Sequence, residues 1–327
     1  MNANLNNEVV KTILEYLPSN IKPIDYLMEL LHISRESAYR RMKSQIAFSF
    51  EEIALLSKVL KFSVNDIIGV KQNIERIFFD LHPKQPTSNI QTNFLLMYEE
   101  FLSLAKEMNK ASQSELIVSS CCLPLSFIAQ YESLFKLFYC KWLHQSNQTP
   151  VNCMYSKICL SPEMNVLRTQ FAEEIKHNRN TTFVLDRNFF LPFIREVQYY
   201  GKLFLMTNDE INTLKTDLLA LVDILSGVVQ KGDNAFGTTC DIYVSFIDIE
   251  INSAYINYDE QTVSQYCIHG INSIFIPNDN LCLQHRAWFY YLKKSSMLIT
   301  QSNEIRQLQF LNKQRELIGT VSEKLLW

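Results

Sequence analysis

A chain of 327 residues has room for two domains, or for three small ones. Its composition is 47% apolar, 12% aromatic and 20% charged, which fits a packed globular core and excludes a disordered or low-complexity chain. A formal net charge of −3 excludes a chain-wide basic surface, so a polyanionic partner has to be met by a local patch.

The chain opens on Met1-Asn2-Ala3-Asn4, with no basic-then-apolar leader, and contains no uninterrupted apolar run of membrane-spanning length. A cytoplasmic protein without a membrane partner is the expectation. The first 70 residues predict five short helices. The first, about Asn6–Leu17, has Val9, Val10, Ile13, Leu14 and Leu17 on one face. Pro23 suits the first turn of a second helix, which runs to Leu31 with Ile24, Leu27, Met28, Leu30 and Leu31 as its apolar side. Ser34 supplies a capping oxygen for the third, in which Ala38 and Met42 face the core. Arg35, Glu36, Tyr39, Arg40 and Lys43 then point outward. The fourth helix, Phe50–Leu60, is expected to bury Ile53, Ala54, Leu56, Ser57 and Leu60, and a fifth covers Val64–Ile68 between Ser63 and Gly69. Residues 1–72 hold nine Lys/Arg against eight Asp/Glu, but Ser34–Lys43 alone holds four against one. The basic character of this protein is concentrated in that one helix.

The run MELLHISRESAYRRMKSQIAFSFEEIALLSKVLKFSVNDIIG resembles the Cro/repressor type of helix-turn-helix domain, an all-α domain of five helices whose second and third form the motif. Met28 occupies the small-residue place in helix two, Ile33 the apolar place in the turn and Ser34 the cap. His32 stands where that family's turn has glycine, which implies a left-handed backbone at a non-glycine residue. Ser44 and Phe48 replace a common Gly and Pro in the following loop. The resemblance covers roughly Asn6–Gly69. It implies binding of double-stranded DNA by a homodimer on a pseudo-palindrome, with half-sites about one helical turn apart and the third helix in the major groove. It assigns Arg35, Ser37, Tyr39 and Arg40 to base edges, and Lys22, Arg41 and Lys43 to phosphates.

Residues 71–93 are expected to be a linker, centred on the two-proline run His82–Asn89, and residues 94–327 a larger α+β region, a mixed sheet with flanking long helices. Ile74–Leu81 reads as a strand or a helix end. Helices are predicted at Phe94–Met108, Leu125–Leu143, Glu163–His177 and Phe189–Val197. Strands are predicted at Leu116–Ser119, Val151–Ile158, Thr182–Leu185 and Tyr199–Met206. Thr207-Asn208-Asp209-Glu210 caps a long helix in which Ile211, Leu214, Leu218, Leu221, Leu225 and Val228 recur at 3-4-3-4-3 spacing before Gly232 ends it. That stripe can pack inside its own domain or pair with its twin across a dimer. Ile242–Ile249, Ala254–Tyr258, Val263–Ile268 and Ile274–Ile276 read as a meander of three or four antiparallel strands. Helices Leu281–Ile299 and Glu304–Leu326 close the chain.

All eight cysteines follow residue 120, and none forms a CxxC pair or sits at zinc-finger spacing from histidines. His269, His285 and Cys267 lie near Asp241, Asp248 and Glu250, but at no spacing that makes a catalytic or metal triad. The pair His82-x-Lys84 is followed by Asn89 where a phospholipase-D signature has Asp. No enzyme and no cofactor is expected. Cys121-Cys122 reads first as a buried structural pair and second as an oxidation sensor. The expectation is a sequence-specific transcriptional regulator, repressor-like in its first domain. Its larger region then serves dimerisation or senses a small-molecule or protein effector. The other reading is a protein-interaction module built on the same scaffold without DNA binding.

Overall fold

The computed structural model describes residues 2–18, 21–60, 62, 64, 90–146, 148–150, 152–234, 237–268 and 272–322. The chain divides into two compact units, Met1–Phe78 and Phe79–Trp327. The boundary falls inside the predicted linker. Among the described residues no helix is long and apolar enough to cross a membrane.

The first unit contains α1 (Asn2–Tyr16), α2 (Pro23–Leu31), α3 (Arg35–Met42) and α4 (Phe50–Leu60). Val9, Ile13, Leu27, Ala38, Phe48, Leu56 and Phe62 are its buried centre, one or two side chains from each element. The predicted faces hold for α1 and α2, except that Leu14 is exposed; on α4 Ala54 is exposed too. Asn6 ties the α3–α4 loop to α1, its carboxamide oxygen accepting from Phe48 N at 3.2 Å and its amide donating to Ile46 O at 3.4 Å. Ser49 and Glu52 cap α4 reciprocally, Ser49 N donating to Glu52 Oε2 (2.9 Å) and Glu52 N to Ser49 Oγ (3.2 Å). The predicted fifth helix, Ile74–Leu81 and the linker run His82–Asn89 lie outside the described residues, apart from Val64.

The second unit is α+β. Its helices are α5 (Ile90–Lys110), α6 (Leu125–Ile128), α7 (Glu132–Gln145), α8 (Pro162–Glu174), α9 (Leu191–Lys202), α10 (Asn208–Lys231), α11 (Asp279–Lys294) and α12 (Glu304–Gly319). The strands are β1 (Ser114–Ser120), β2 (Asn180–Asp186), β3 (Thr239–Ser245), β4 (Ser253–Tyr258), β5 (Gln261–Ile268), β6 (Asn272–Ile276) and β7 (Ser296–Leu298). They form one mixed sheet in the order β6-β5-β4-β1-β2-β3-β7. β1, β2 and β3 are parallel, with Val118 beside Phe183 and Phe183 beside Ile242; every other pairing is antiparallel.

Alternation sends the side chains to two faces. Phe183, Leu185, Ile242 and Val244 join the main core with helices α5 to α10 and α12. Ile117, Val184 and Tyr255 face the other way, against Cys282 and Phe289 of α11. α10 is built as its sequence predicts. Thr207 and Glu210 cap it reciprocally, and Gly232 closes it at φ 72°. Leu214, Leu218, Leu221, Val222, Leu225 and Val229 are buried within the unit, so its stripe is spent on its own core.

Several predicted elements are corrected. Val151–Ile158 is not a strand among the described residues: Tyr155–Lys157 is a 3-10 turn whose Tyr155 and Ile158 plug the core, with Tyr155 Oη donating to Ser133 O (3.0 Å). Tyr199–Lys202 continues α9 rather than starting a strand, because Ile194, Val197 and Tyr200 extend one buried stripe at helical spacing. Leu125–Leu143 is two helices, broken at Ala129–Tyr131, where the buried Arg168 donates to the freed Ala129 carbonyl at 2.8 Å. The meander is only β4-β5-β6. The segment predicted as its first strand is β3, which stops at Ser245 and pairs in parallel with β2. Leu281–Ile299 is helical only to Lys294, where Ser295 and Ser296 hydroxyls bond back to Leu292 O; Ser296–Leu298 then pairs on the edge of β3. The last helix ends at Gly319, and α5 starts at Ile90, inside the predicted linker.

Candidate nucleic-acid interface

α2 and α3 are joined by His32-Ile33-Ser34. His32 takes φ 53° and ψ 42°, the left-handed conformation implied by its place in the turn, and Ser44 takes φ 56° in the loop after α3. Ile33 packs against the core, and Ser34 caps α3 by accepting from Ser37 N at 3.3 Å. Lys22, exposed, precedes Pro23 at the start of α2.

Ala38 is fully buried and Met42 packs beside it, which fixes the inner side of α3. At about 100° per residue Arg35, Tyr39, Lys43, Glu36 and Arg40 follow one another from beside Met42 over roughly 140° of arc. All five are exposed. Three cations and one carboxylate therefore share this surface with one aromatic ring, and Lys43 Nζ lies 5.9 Å from the centre of that ring.

Two predicted contacts sit elsewhere. Arg41 turns to α4, its Nε donating to Glu52 Oε2 at 3.0 Å and its Nη2 to Glu52 Oε1 at 2.8 Å. Its remaining Nη1 reaches Ser37 Oγ. The Arg41 and Glu52 side chains are only 15% and 18% exposed, so this bidentate pair is a strut between α3 and α4 rather than a loose surface contact. Ser37 and Arg41 flank the exposed arc with their polar atoms already engaged. Glu52 was not among the sequence candidates. Ser49-Phe50-Glu51-Glu52, a serine followed three residues later by Glu, is the signal that marks it.

In the second unit, His285 is buried between α11 and the sheet, its two ring nitrogens bonded to the Ser253 and Ser264 hydroxyls at 3.1 and 3.0 Å. It stacks on Tyr266, and burial lowers its pKa to about 4. It is a neutral structural link with no carboxylate among those partners. Cys267 is brought to Asn252, which also holds Cys121 and Cys122, while His269 and the His82-x-Lys84 pair lie outside the described residues. Among the described residues no group of three or more His, Cys, Asp or Glu is placed to hold a metal ion.

No protein-family model matches this chain, and neither a curated protein nor a solved structure matches it.

Proposed function

We propose that the protein is a sequence-specific DNA-binding transcriptional regulator. In this reading residues 1–70 are a helix-turn-helix domain of the Cro/repressor type, α3 enters the major groove, and the second unit supplies dimerisation, effector sensing or both. The observation that carries it is the outer arc of α3, where Arg35, Tyr39, Arg40 and Lys43 stand exposed on a chain of net charge −3. Arg35 and Arg40 are the base readers, since a guanidinium can grip guanine through two hydrogen bonds. Tyr39 lies between them in sequence, and Lys43 and Lys22 are the phosphate contacts in this reading. Ser37 and Arg41 take a supporting role, holding α3 at a fixed angle to α4.

A gel-shift panel of genomic fragments with the full chain tests this. Each arginine contact is worth about 1–3 kcal/mol, so Arg35→Ala/Arg40→Ala is expected to weaken specific binding by at least about thirtyfold with the fold unchanged. Equal binding by that double variant, or binding indifferent to salt, overturns the reading. Salt-indifferent capture of a protein partner instead favours an interaction module.

A further inference from the structure

Between the sheet and helices α5 and α8 lies a cavity of about 160 Å³. Its walls are apolar: Leu104 and Met108 from α5, Phe171 from α8, Val118 from β1, and Ala254 and Ile256 from β4. An enclosed apolar cavity of about 150 Å³ takes up benzene, and this one, partly open to solvent, has room for a ligand of about six carbons. One end is different. There β1 runs out into Ser120-Cys121-Cys122, and Asn252 at the start of β4 closes the wall.

Asn252 organises that end. Its Oδ1 accepts from Cys121 N (2.8 Å), and Ser120 Oγ and Cys121 Sγ each lie 3.2 Å from the same oxygen, which fixes the orientation of the carboxamide. Its Nδ2 then donates to Cys122 Sγ at 3.0 Å. Ser120 Oγ lies 3.9 Å from the same sulfur. Cys122 is thus a half-buried thiol that lines an apolar cavity and accepts from the Asn252 carboxamide, a hydrogen bond that favours thiolate over thiol.

We propose that this cavity captures a small apolar electrophile, an α,β-unsaturated aldehyde or ketone of about six carbons, by covalent addition to Cys122. The Cys122 sulfur lone pair forms the S–C bond at the β carbon as the C=C π pair moves to the α carbon. Water then protonates the resulting enolate, replacing the proton that the thiol gave to solvent. No oxidant or reductant takes part. Three further facts agree. The Cys122 pKa is lowered, chiefly by the hydrogen bond from Cys121 and, against burial, which raises it, by that from Asn252. Cys121 is pushed up by donating to Cys122 and by burial, so the pair has one nucleophile. Cys267, which also lines the cavity, is raised by burial.

The test uses the full chain, trans-2-hexenal as probe, borohydride to fix the adduct, and peptide mass mapping at pH 7. This readout does not involve DNA, so its failure is separate from failure of the regulatory reading. One adduct is expected at Cys122, formed about tenfold or more faster than at the exposed Cys159, and absent from Cys122→Ser. Ala254→Leu, which fills the cavity and keeps the thiol, is expected to slow hexenal about tenfold or more while iodoacetamide labelling of Cys122 continues. On the unaltered chain, excess 1-hexanol is expected to protect Cys122 from hexenal but leave Cys159 reactive. Equal labelling of Cys122 and Cys159, or no protection by hexanol, overturns the proposal.

Discussion

At the scale of single residues, Arg41 separates two jobs that a basic helix can do. Its guanidinium is bidentate on Glu52 and reaches Ser37, and both charged side chains are largely withdrawn from water. An exposed ion pair contributes under about 1 kcal/mol, whereas removing one partner of a buried pair costs about 3–5. Arg41→Ala falls between these and is expected to cost about 2 kcal/mol, read as lost hydrogen-exchange protection in α3 and α4. Arg41→Lys is expected to restore little of it, because an ammonium cannot match both carboxylate oxygens. Should Arg41→Ala leave that protection intact and instead weaken DNA binding equally for all sequences, the phosphate role implied by the resemblance stands. Ser37 belongs to the same arrangement. Counting charges along Ser34–Lys43 cannot distinguish Arg40 from Arg41, since only the fold sets one outward and brings Glu52 to the other.

At the scale of elements, α11 is fastened to the sheet by a group whose protonation should show in stability. His285 has a folded pKa of about 4 against an ordinary value of about 6.5, because burial disfavours the imidazolium. The folded state therefore holds fewer protons than the unfolded one between those values. Its contribution is full above pH 6.5 and is lost as pH falls toward 4, to a limit of about 3 kcal/mol. Urea titrations read from Trp288, which stacks on His285, are expected to show this fall in the natural chain and a shallower one in His285→Gln. Identical pH slopes would remove His285 from the account. The elements differ in how far sequence reveals them. The bounds of α2, α3, α4 and α10 are legible because proline, serine, threonine and glycine caps act through neighbouring backbone groups. Strand partners are not: the period of two marks β3 as a strand, yet its place beside β2 depends on residues some 60 positions earlier. The cavity is hidden for the same reason, its walls coming from α5, β1, α8 and β4, while Cys121-Cys122 by itself reads as ordinary core.

At the scale of the whole molecule, charge and symmetry constrain the proposed regulator together. Outside residues 1–72 the chain holds 22 basic against 26 acidic residues, so the second unit adds little attraction for DNA. The buried stripe of α10 is consumed inside its own unit, so a dimer has to use another face. Counterion release then turns the number of phosphate contacts into a measurement, since log K falls with log salt at a slope of about −0.9 per phosphate neutralised. With Arg41 held by Glu52, the proposal leaves Lys22 and Lys43 as phosphate contacts in each copy. A single copy is expected to give a slope of about −2, and a dimer on two half-sites about −4. Replacing Lys22 by Ala is expected to reduce the dimer's slope by about 2 and to weaken all sequences alike, because a phosphate contact positions without specifying. A slope of about −2 in the natural chain would leave α3 as a reader acting alone, and a slope near zero would remove DNA as the partner.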